Sequence, residues 1–502
     1  MAEPGRTAPV VPSTVPTDHP RMHWLWPSPT EGVRWSGYPT GARRTLEFLQ
    51  SLSPEGRDAF LYSCSALFAG VAALAMGIPL YRQWGQMAVG PYAAAAVLMI
   101  AVAWWRARRS KSGPVTTRRR WRVARVAAFV IVLFGATIVP LALEVIWRSE
   151  GNAALHVQPE VQVVEQAGDR AAHGQDPYRV VDKNGHILIH QHTEPIYELY
   201  YPYLPGMVLF GFSTGSRVEA RLTDARIQFL VFTGLITLLA LSRLAPTTDA
   251  RVRALQVLTV LPTAALPLAT GGDDMPVVAL MLLGLVGLQR RRPLLAGLAL
   301  GAAASLKFTA WPLVLLALWV ASDRSRRRAR GWYALGVAAV MGPVVLPVAL
   351  SNPSAFIDNV VRFPLGLAGV SSPAASALPG HILVAALPGI HRAYVVAVVI
   401  VGGLLLVWRL WRRPPVSAAD AASLSGWVMS IAILLAPATR VGYLLYPINL
   451  FVWAWMLRQA DDPDPPPVGR TDQLSSGTSN SSSENVVEPV DVVGDTVAPT
   501  SQ

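Results

Sequence analysis

Four places in the sequence set ionisable side chains against apolar runs, where burying charge is costly and a charged residue is kept for a function or a partner. The first is Pro159-Glu160-Val161-Gln162-Val163-Val164-Glu165, which leads to His173-Gly174-Gln175-Asp176-Pro177-Tyr178. Glu160 follows a proline and opens a stretch where Val161, Val164, Ala167 and Ala171 recur at helical spacing. Its ordinary role would be a first-turn carboxylate complementing the helix dipole. The second place is Gly271-Gly272-Asp273-Asp274-Met275-Pro276. Adjacent carboxylates on a helix diverge by about 100° and suit one metal ion poorly. Either Asp274 is an N-cap with proline in the first turn, or the pair binds substrate.

The third place is Lys307, in Ser305-Leu306-Lys307-Phe308-Thr309-Ala310-Trp311-Pro312; the chain holds 43 basic residues, of which three are Lys. Either its ammonium snorkels to the interface, or it offers a point charge to a phosphate. The fourth is Arg440, in Ala438-Thr439-Arg440-Val441-Gly442-Tyr443, with Arg362 in the loop 358–366 as a companion. Arg440 is expected on the outer side, against the usual charge bias, which favours its meeting an anion.

The scaffold that must position these groups follows from composition. The chain has 502 residues, 52% hydrophobic and 15% charged, with one Cys and a mean hydropathy of +0.37. That excludes a soluble globular chain, a disulfide scaffold and a disordered protein. The apolar residues gather in runs close to the ~20 helical residues that cross a bilayer. Net charge is +12, yet the basic residues sit in short clusters between runs, at 106–125, 290–292, 324–330 and 409–413, so they mark cytoplasmic loops. No segment offers the basic face of a nucleic-acid-binding domain.

Residues 1–58 read as a flexible cytoplasmic tail with no cleavable leader. Spans are expected at 60–80, 87–105 and 127–147. The loop 148–203 then holds eight acidic against four basic residues and should face outward. The stretch 204–244 is a short broken helix that crosses or dips in, followed by a clear span. Further spans are expected at 254–270 and 277–288, with the tip 271–274 outside. Because 294–320 lies between two basic clusters, it should be a tight hairpin with 307–312 at its outer turn. Residues 331–350, 394–408, 421–435 and 443–457 complete an all-α polytopic bundle of 12 or 13 spans. The stretch 458–502 reads as a disordered tail. Residues 159–172 are expected to lie as an amphipathic helix on the outer membrane surface.

The order of these features resembles a known family. An outer loop ending in Gly174-Gln175-Asp176-Pro177-Tyr178 precedes Tyr200-Tyr201-Pro202-Tyr203-Leu204-Pro205 and Gly-Gly-Asp-Asp at a helix start. Leu-Ala-Gly-Leu-Ala-Leu-Gly at 295–301, Lys307 and Trp311-Pro312 come next. This resembles the GT-C superfamily of integral-membrane glycosyltransferases, and within it actinobacterial members of glycosyltransferase family 87 such as polyprenyl-phosphate-mannose-dependent mannosyltransferases. The resemblance covers about residues 127–457, which would form the transferase core, with 59–126 adding two spans and a basic loop. It implies an acidic residue in the first outer loop, commonly Asp, about 18 positions before an aromatic. Glu160 stands 18 residues before Tyr178, with Glu165 and Asp169 as rivals.

Under that resemblance Glu160 takes the proton of an acceptor hydroxyl, while Lys307 and Arg440 hold the donor phosphate as negative charge develops. Asp273, Asp274, Tyr178, Tyr203 and Arg362 are expected to bind substrate. No metal-ligand cluster is evident in the sequence, so no metal is expected, Asp273 and Asp274 being the only residues that could overturn this; no cofactor is expected beside the lipid-linked sugar donor. The reading is an extracytoplasmic, inverting glycosyl transfer, mannosyl or related, from a polyprenyl-phosphate sugar to a cell-envelope glycolipid or polysaccharide. It places the chain in the cell membrane with both termini cytoplasmic. A lipid or solute transporter, or a non-catalytic scaffold of an envelope-synthesis complex, remain the alternatives.

Overall fold

The computed structural model describes residues 52–109, 116–151, 155–178, 196–212, 221–244, 248–321, 327–368, 370 and 374–461. The expected tails, in residues 1–51 and 462–502, lie outside these, as do parts of the outer loop at 152–154 and 179–195 and the start, 324–326, of the 324–330 cluster. Among the described residues the elements are helical, with a single isolated bridge between Ala375 and Thr439. Among the described residues eight helices are long and apolar enough to cross a bilayer, and three shorter apolar ones stand among them. The chain is an all-α polytopic bundle. The 12 or 13 spans counted from sequence take in these shorter helices and Leu445–Asp461.

Helix α1, Pro54–Ala75, begins where the tail was expected, with the Ser53 hydroxyl accepting from the Gly56 N–H at 3.1 Å. It ends ahead of Ile78-Pro79, because the residue before a proline is driven out of the helical region. The span read as 60–80 is therefore shifted toward the N-terminus, and α2, Pro79–Arg109, starts earlier than the expected 87. The third span runs through α3, Thr116–Val132, a π-helical turn, Leu133–Ile138, and α4, Val139–Glu150. Pro140 cannot donate to the Ala136 carbonyl one turn back, and that carbonyl instead accepts from the Trp84 indole of α2 at 2.8 Å.

At the opposite end of this hairpin Asp58 is bound by Arg125 at 2.5 Å and Arg253 at 3.1 Å, and Arg125 also holds Asp249 at 2.8 Å. The first two spans are thereby seated in the bundle by buried charge and by a shared apolar core with α3 and α8.

Helix α5, Pro159–Ala172, has the bounds its sequence suggests, but its apolar face does not lie on lipid. Val161, Val164 and Ala167 are buried in the main core with Met207, Phe210 and Phe229. The reason is a pair of glycines: a Cβ on Gly168 would stand 2.3 Å from the Gly211 backbone, so α5 and the short 3-10 helix Pro205–Phe210 meet backbone to backbone. Six residues of 3-10 helix span about 12 Å, so this element does not cross; it is a buried turn ahead of α6, Ala225–Ser242.

Helices α7, Thr248–Thr259, and α8, Pro262–Thr270, are one span broken at Pro262. The carbonyls of Thr259 and Val260 at the break are taken by Thr137 at 2.9 Å and by Tyr92 at 2.5 Å. After α9, Asp274–Gln289, comes α10, Pro293–Leu306, and then, beyond Lys307, α11, Trp311–Val320. Tyr333, whose backbone lies against Gly297 of α10, donates to the Val314 carbonyl of α11 at 2.8 Å. Continued as one helix, Gly297 and Val314 would be about 25 Å apart along the axis, so the chain turns back at Lys307, as the basic clusters required. Helices α12, Arg327–Ser351, α13, Pro353–Ile357, α14, Pro379–Ala386, α15, His391–Arg412, α16, Ala418–Leu435, and α17, Leu445–Asp461, complete the bundle.

The Gly168–Gly211 contact predicts that Gly168→Val overpacks a backbone crossing, at about 1–3 kcal/mol. A lowered melting temperature of the detergent-purified full chain, read by size-exclusion after heating, checks this; an unchanged melt would show that α5 is free to move away.

Candidate active site

Two breaks in the helices deliver charge to one end of the bundle. Between α8 and α9 the chain turns through Gly272, whose φ of +95° suits glycine, and Asp273 occupies the N-cap of α9 without capping it by its side chain. Asp274 follows as the first residue of α9. Both converge on the Lys307 ammonium, at 2.8 and 2.5 Å. The N-cap role expected for Asp274 is thus not what its side chain does. Lys307 does not snorkel either: it is 6% exposed, at the turn between α10 and α11, with its ammonium 5.2 Å from the Tyr203 ring and 5.5 Å from that of Tyr443. Tyr446 donates to Asp274 at 2.6 Å and accepts from Thr309 at 2.7 Å. Among the described residues, no three His, Cys, Asp or Glu side chains gather as a metal site would need.

Beside this triad stands the pair Glu160–Arg440. Glu160 lies in the first turn of α5, where Gln158 is the N-cap and Pro159 the first helical residue. One Glu160 oxygen, Oε1, accepts from Arg440 Nη1, whereas Oε2 is buried and has no hydrogen-bond partner among the described residues. Arg440 sits in an extended stretch between α16 and α17 that is laced to residues 374–376: Thr439 N–H donates to the Ala374 carbonyl at 2.8 Å, and Ser376 N–H to that of Thr439 at 2.9 Å. Burial opposes the charge on this guanidinium, but the carboxylate of Glu160 together with Tyr443, Tyr81 and Tyr203 outweighs it and holds the arginine above its ordinary pKa. The phenols of Tyr203 and Tyr443 are pushed up by burial and remain hydroxyls. Tyr203 feels Asp273, Lys307 and Glu160 together, so the triad and the pair are one cluster.

The rival carboxylates are placed differently. Glu165 is held by both terminal nitrogens of Arg148, at 3.0 and 2.6 Å, and accepts from the Ala225 N–H at 3.1 Å. It fastens α5 to the start of α6, where Asp224 binds Arg148 and Arg226. Asp169 lies on the open side of α5 beside His173. Tyr178 is 1% exposed, wedged between Tyr201 and Phe356, and its hydroxyl donates to the Tyr203 carbonyl at 2.9 Å. It supports the tyrosine segment from beneath. Arg362 is turned to Asp358, four residues back, and its side chain is 55% exposed; the structure does not bring it to Glu160.

Sequence reasoning missed Tyr81, Gln158, Tyr443 and Tyr446. Gln158 donates to Tyr81 and to Thr270, both at 2.8 Å. Its position one residue ahead of Pro159 was the available signal. Tyr443 lay inside the segment already singled out for Arg440.

Residues 208–437 match the model of glycosyltransferase family 87. The match includes Asp273, Asp274, Lys307 and Arg362, and is narrower than the 127–457 read from the sequence, leaving Glu160, Tyr178 and Tyr203 before it and Arg440 just after. Neither the curated proteins nor the solved structures yield a match.

The triad predicts a sharp asymmetry. Lys307→Met leaves two buried carboxylates without their cation, a loss of about 3–5 kcal/mol, so the full chain should melt lower in detergent, by more than Glu160→Gln does. Equal melts for the two variants would mean that Lys307 is not a structural counter-ion.

Proposed function

We propose, from the premise that this chain is a membrane glycosyltransferase of the family 87 type, that it transfers a mannosyl unit from a polyprenyl-phosphate sugar to an envelope glycolipid or polysaccharide on the extracytoplasmic face. The observation that carries the reading is the unpartnered, buried Oε2 of Glu160 beside the Arg440 guanidinium. A base needs a lone pair free to accept a proton, and among the three candidate carboxylates Glu160 has the geometry for it. Orientation is supported by charge: the site and the basic clusters at 106–125 lie at opposite ends of α2, since Tyr81 reaches Gln158 whereas Arg106 pairs with Glu55.

In the reaction the acceptor hydroxyl attacks the anomeric carbon from the face opposite the phosphate. The new C–O bond forms as the bond from carbon to the phosphate oxygen breaks, and polyprenyl phosphate leaves with the electron pair. Oε2 of Glu160 takes the hydroxyl proton, and the anomeric configuration inverts. Arg440 holds the phosphate: its side chain is 29% exposed, and a planar guanidinium pairs well with phosphate oxygens. Lys307 is engaged by Asp273 and Asp274, so its charge is matched within the triad, and its ammonium lies 5.2 and 5.5 Å from the rings of Tyr203 and Tyr443. No metal enters the reaction so written.

The test is sugar transfer from radiolabelled polyprenyl-phosphate mannose by membranes holding matched amounts of each protein. Glu160→Gln should lose about 10²- to 10⁴-fold in kcat with little change in donor KM. Arg440→Ala should raise donor KM, partly restored in Arg440→Lys. Full activity in Glu160→Gln would remove it as the base. Transfer from a polyprenyl-phosphate pentose, and none from mannose, would reassign the sugar.

A further inference from the structure

The helical pair α1–α2 precedes the family match, yet it reaches the site. Tyr81 stands in the first turns of α2, and its hydroxyl accepts from Gln158 Nε2 at 2.8 Å. The same amide nitrogen donates its second hydrogen to Thr270 Oγ1 at 2.8 Å, and the Gln158 backbone N–H donates to the Thr270 carbonyl at 3.0 Å. On its other side the glutamine meets Gly271, where a Cβ would stand 2.3 Å from Gln158 Oε1. The carbonyl of Gln158 in turn accepts from the Val161 N–H at 3.1 Å, closing the first turn of α5 around Glu160. Tyr81 also lies in the field of Glu160 and Arg440.

The hairpin is itself anchored. Trp84 donates to the Ala136 carbonyl, Tyr92 to that of Val260, and Asp58 is bound by Arg125 and Arg253. Its position is therefore passed to α5 through the hydrogen bond between Tyr81 and Gln158. An amide with both hydrogens engaged is fixed in rotation; with one released, the group is free to turn and the start of the helix that Gln158 leads into is less well defined.

We propose that Tyr81 is a positioning residue, which through Gln158 fixes the first turn of α5 and the direction of Glu160 Oε2, so that the N-terminal helical pair is part of the active site. This rests on the reading of Glu160 as the base. The effect expected is on turnover more than on binding, since neither Tyr81 nor Gln158 needs to touch the donor.

The experiment compares the full-length wild type with Tyr81→Phe, Glu160→Gln and Tyr92→Phe, the last removing a hydrogen bond of the same hairpin away from the site. With radiolabelled polyprenyl-phosphate mannose, Tyr81→Phe should lower kcat about 5- to 20-fold with donor KM within about twofold, while Tyr92→Phe keeps the wild-type kcat. The same proteins in detergent are followed by hydrogen–deuterium exchange. Peptides over residues 158–161 should exchange about tenfold faster in Tyr81→Phe and unchanged in Tyr92→Phe. Wild-type kcat in Tyr81→Phe alongside an inactive Glu160→Gln would overturn the inference and spare the base. Equal losses in both tyrosine variants would also overturn it, as a general loosening. Full activity in Glu160→Gln would sink the base reading, and exchange at 158–161 would then decide the coupling alone, as it would should the wild type not use this donor.

Discussion

Charge buried in a helical bundle has to be matched charge for charge, because a lone ion in a low-dielectric interior costs several kcal/mol. At the site end of this protein the matching is nearly complete. Lys307 answers Asp273 and Asp274, Arg148 answers Glu165 and Asp224, and Arg226 is bound by Asp224. Arg440 answers Glu160 through one carboxylate oxygen only. Among the described residues the other oxygen is left open, as is Oε1 of Glu144, whose Oε2 meets His156, while Lys307, Arg148 and Arg226 are engaged by their own carboxylates.

That arrangement depends on where the helices break. Side chains inside a continuous transmembrane helix point away from its axis at a fixed angle, and two adjacent aspartates there would diverge. The break at Gly272 puts both aspartates at the start of α9 and the break at Lys307 brings the lysine to them, so three charges meet. The breaks at Pro140 and Pro262 serve the hairpin in a similar way, since the carbonyls left at them are what Trp84, Tyr92 and Thr137 bind. Irregular backbone at membrane depth is tolerated where protein satisfies it, and here it supplies the anchoring points of α1 and α2.

The class of fold was legible because a bilayer imposes a length of apolar helix that few other structures need. The bounds of α5 were legible too, from Pro159 at its start and the spacing of Val161, Val164 and Ala167. What that stripe packs against was not: lipid and protein accept the same valines, and only the approach of Gly168 to Gly211, 43 residues apart in sequence, chooses between them. Lys307 was legible as unusual, but its partners lie 33 and 34 residues back, and nothing local distinguishes a snorkelling lysine from a triad. Tyr81 carried no signal at all, since an aromatic at the head of an apolar run reads as an interfacial residue.

The resting pair of Glu160 and Arg440 also bears on how the proposed reaction would be ordered. One oxygen of the carboxylate is occupied by the guanidinium, and an arginine bound to a carboxylate is not free to receive a phosphate. Both deficits are relieved by one event. A donor phosphate that takes Arg440 supplies the anion the guanidinium needs and frees Glu160 from its counter-ion while the buried surroundings stay the same. Under the proposed reaction both oxygens of Glu160 would then be open to an acceptor hydroxyl once the leaving group is held. In an enzyme whose two substrates arrive separately, such an exchange of partners ties the base to the presence of the sugar it must move.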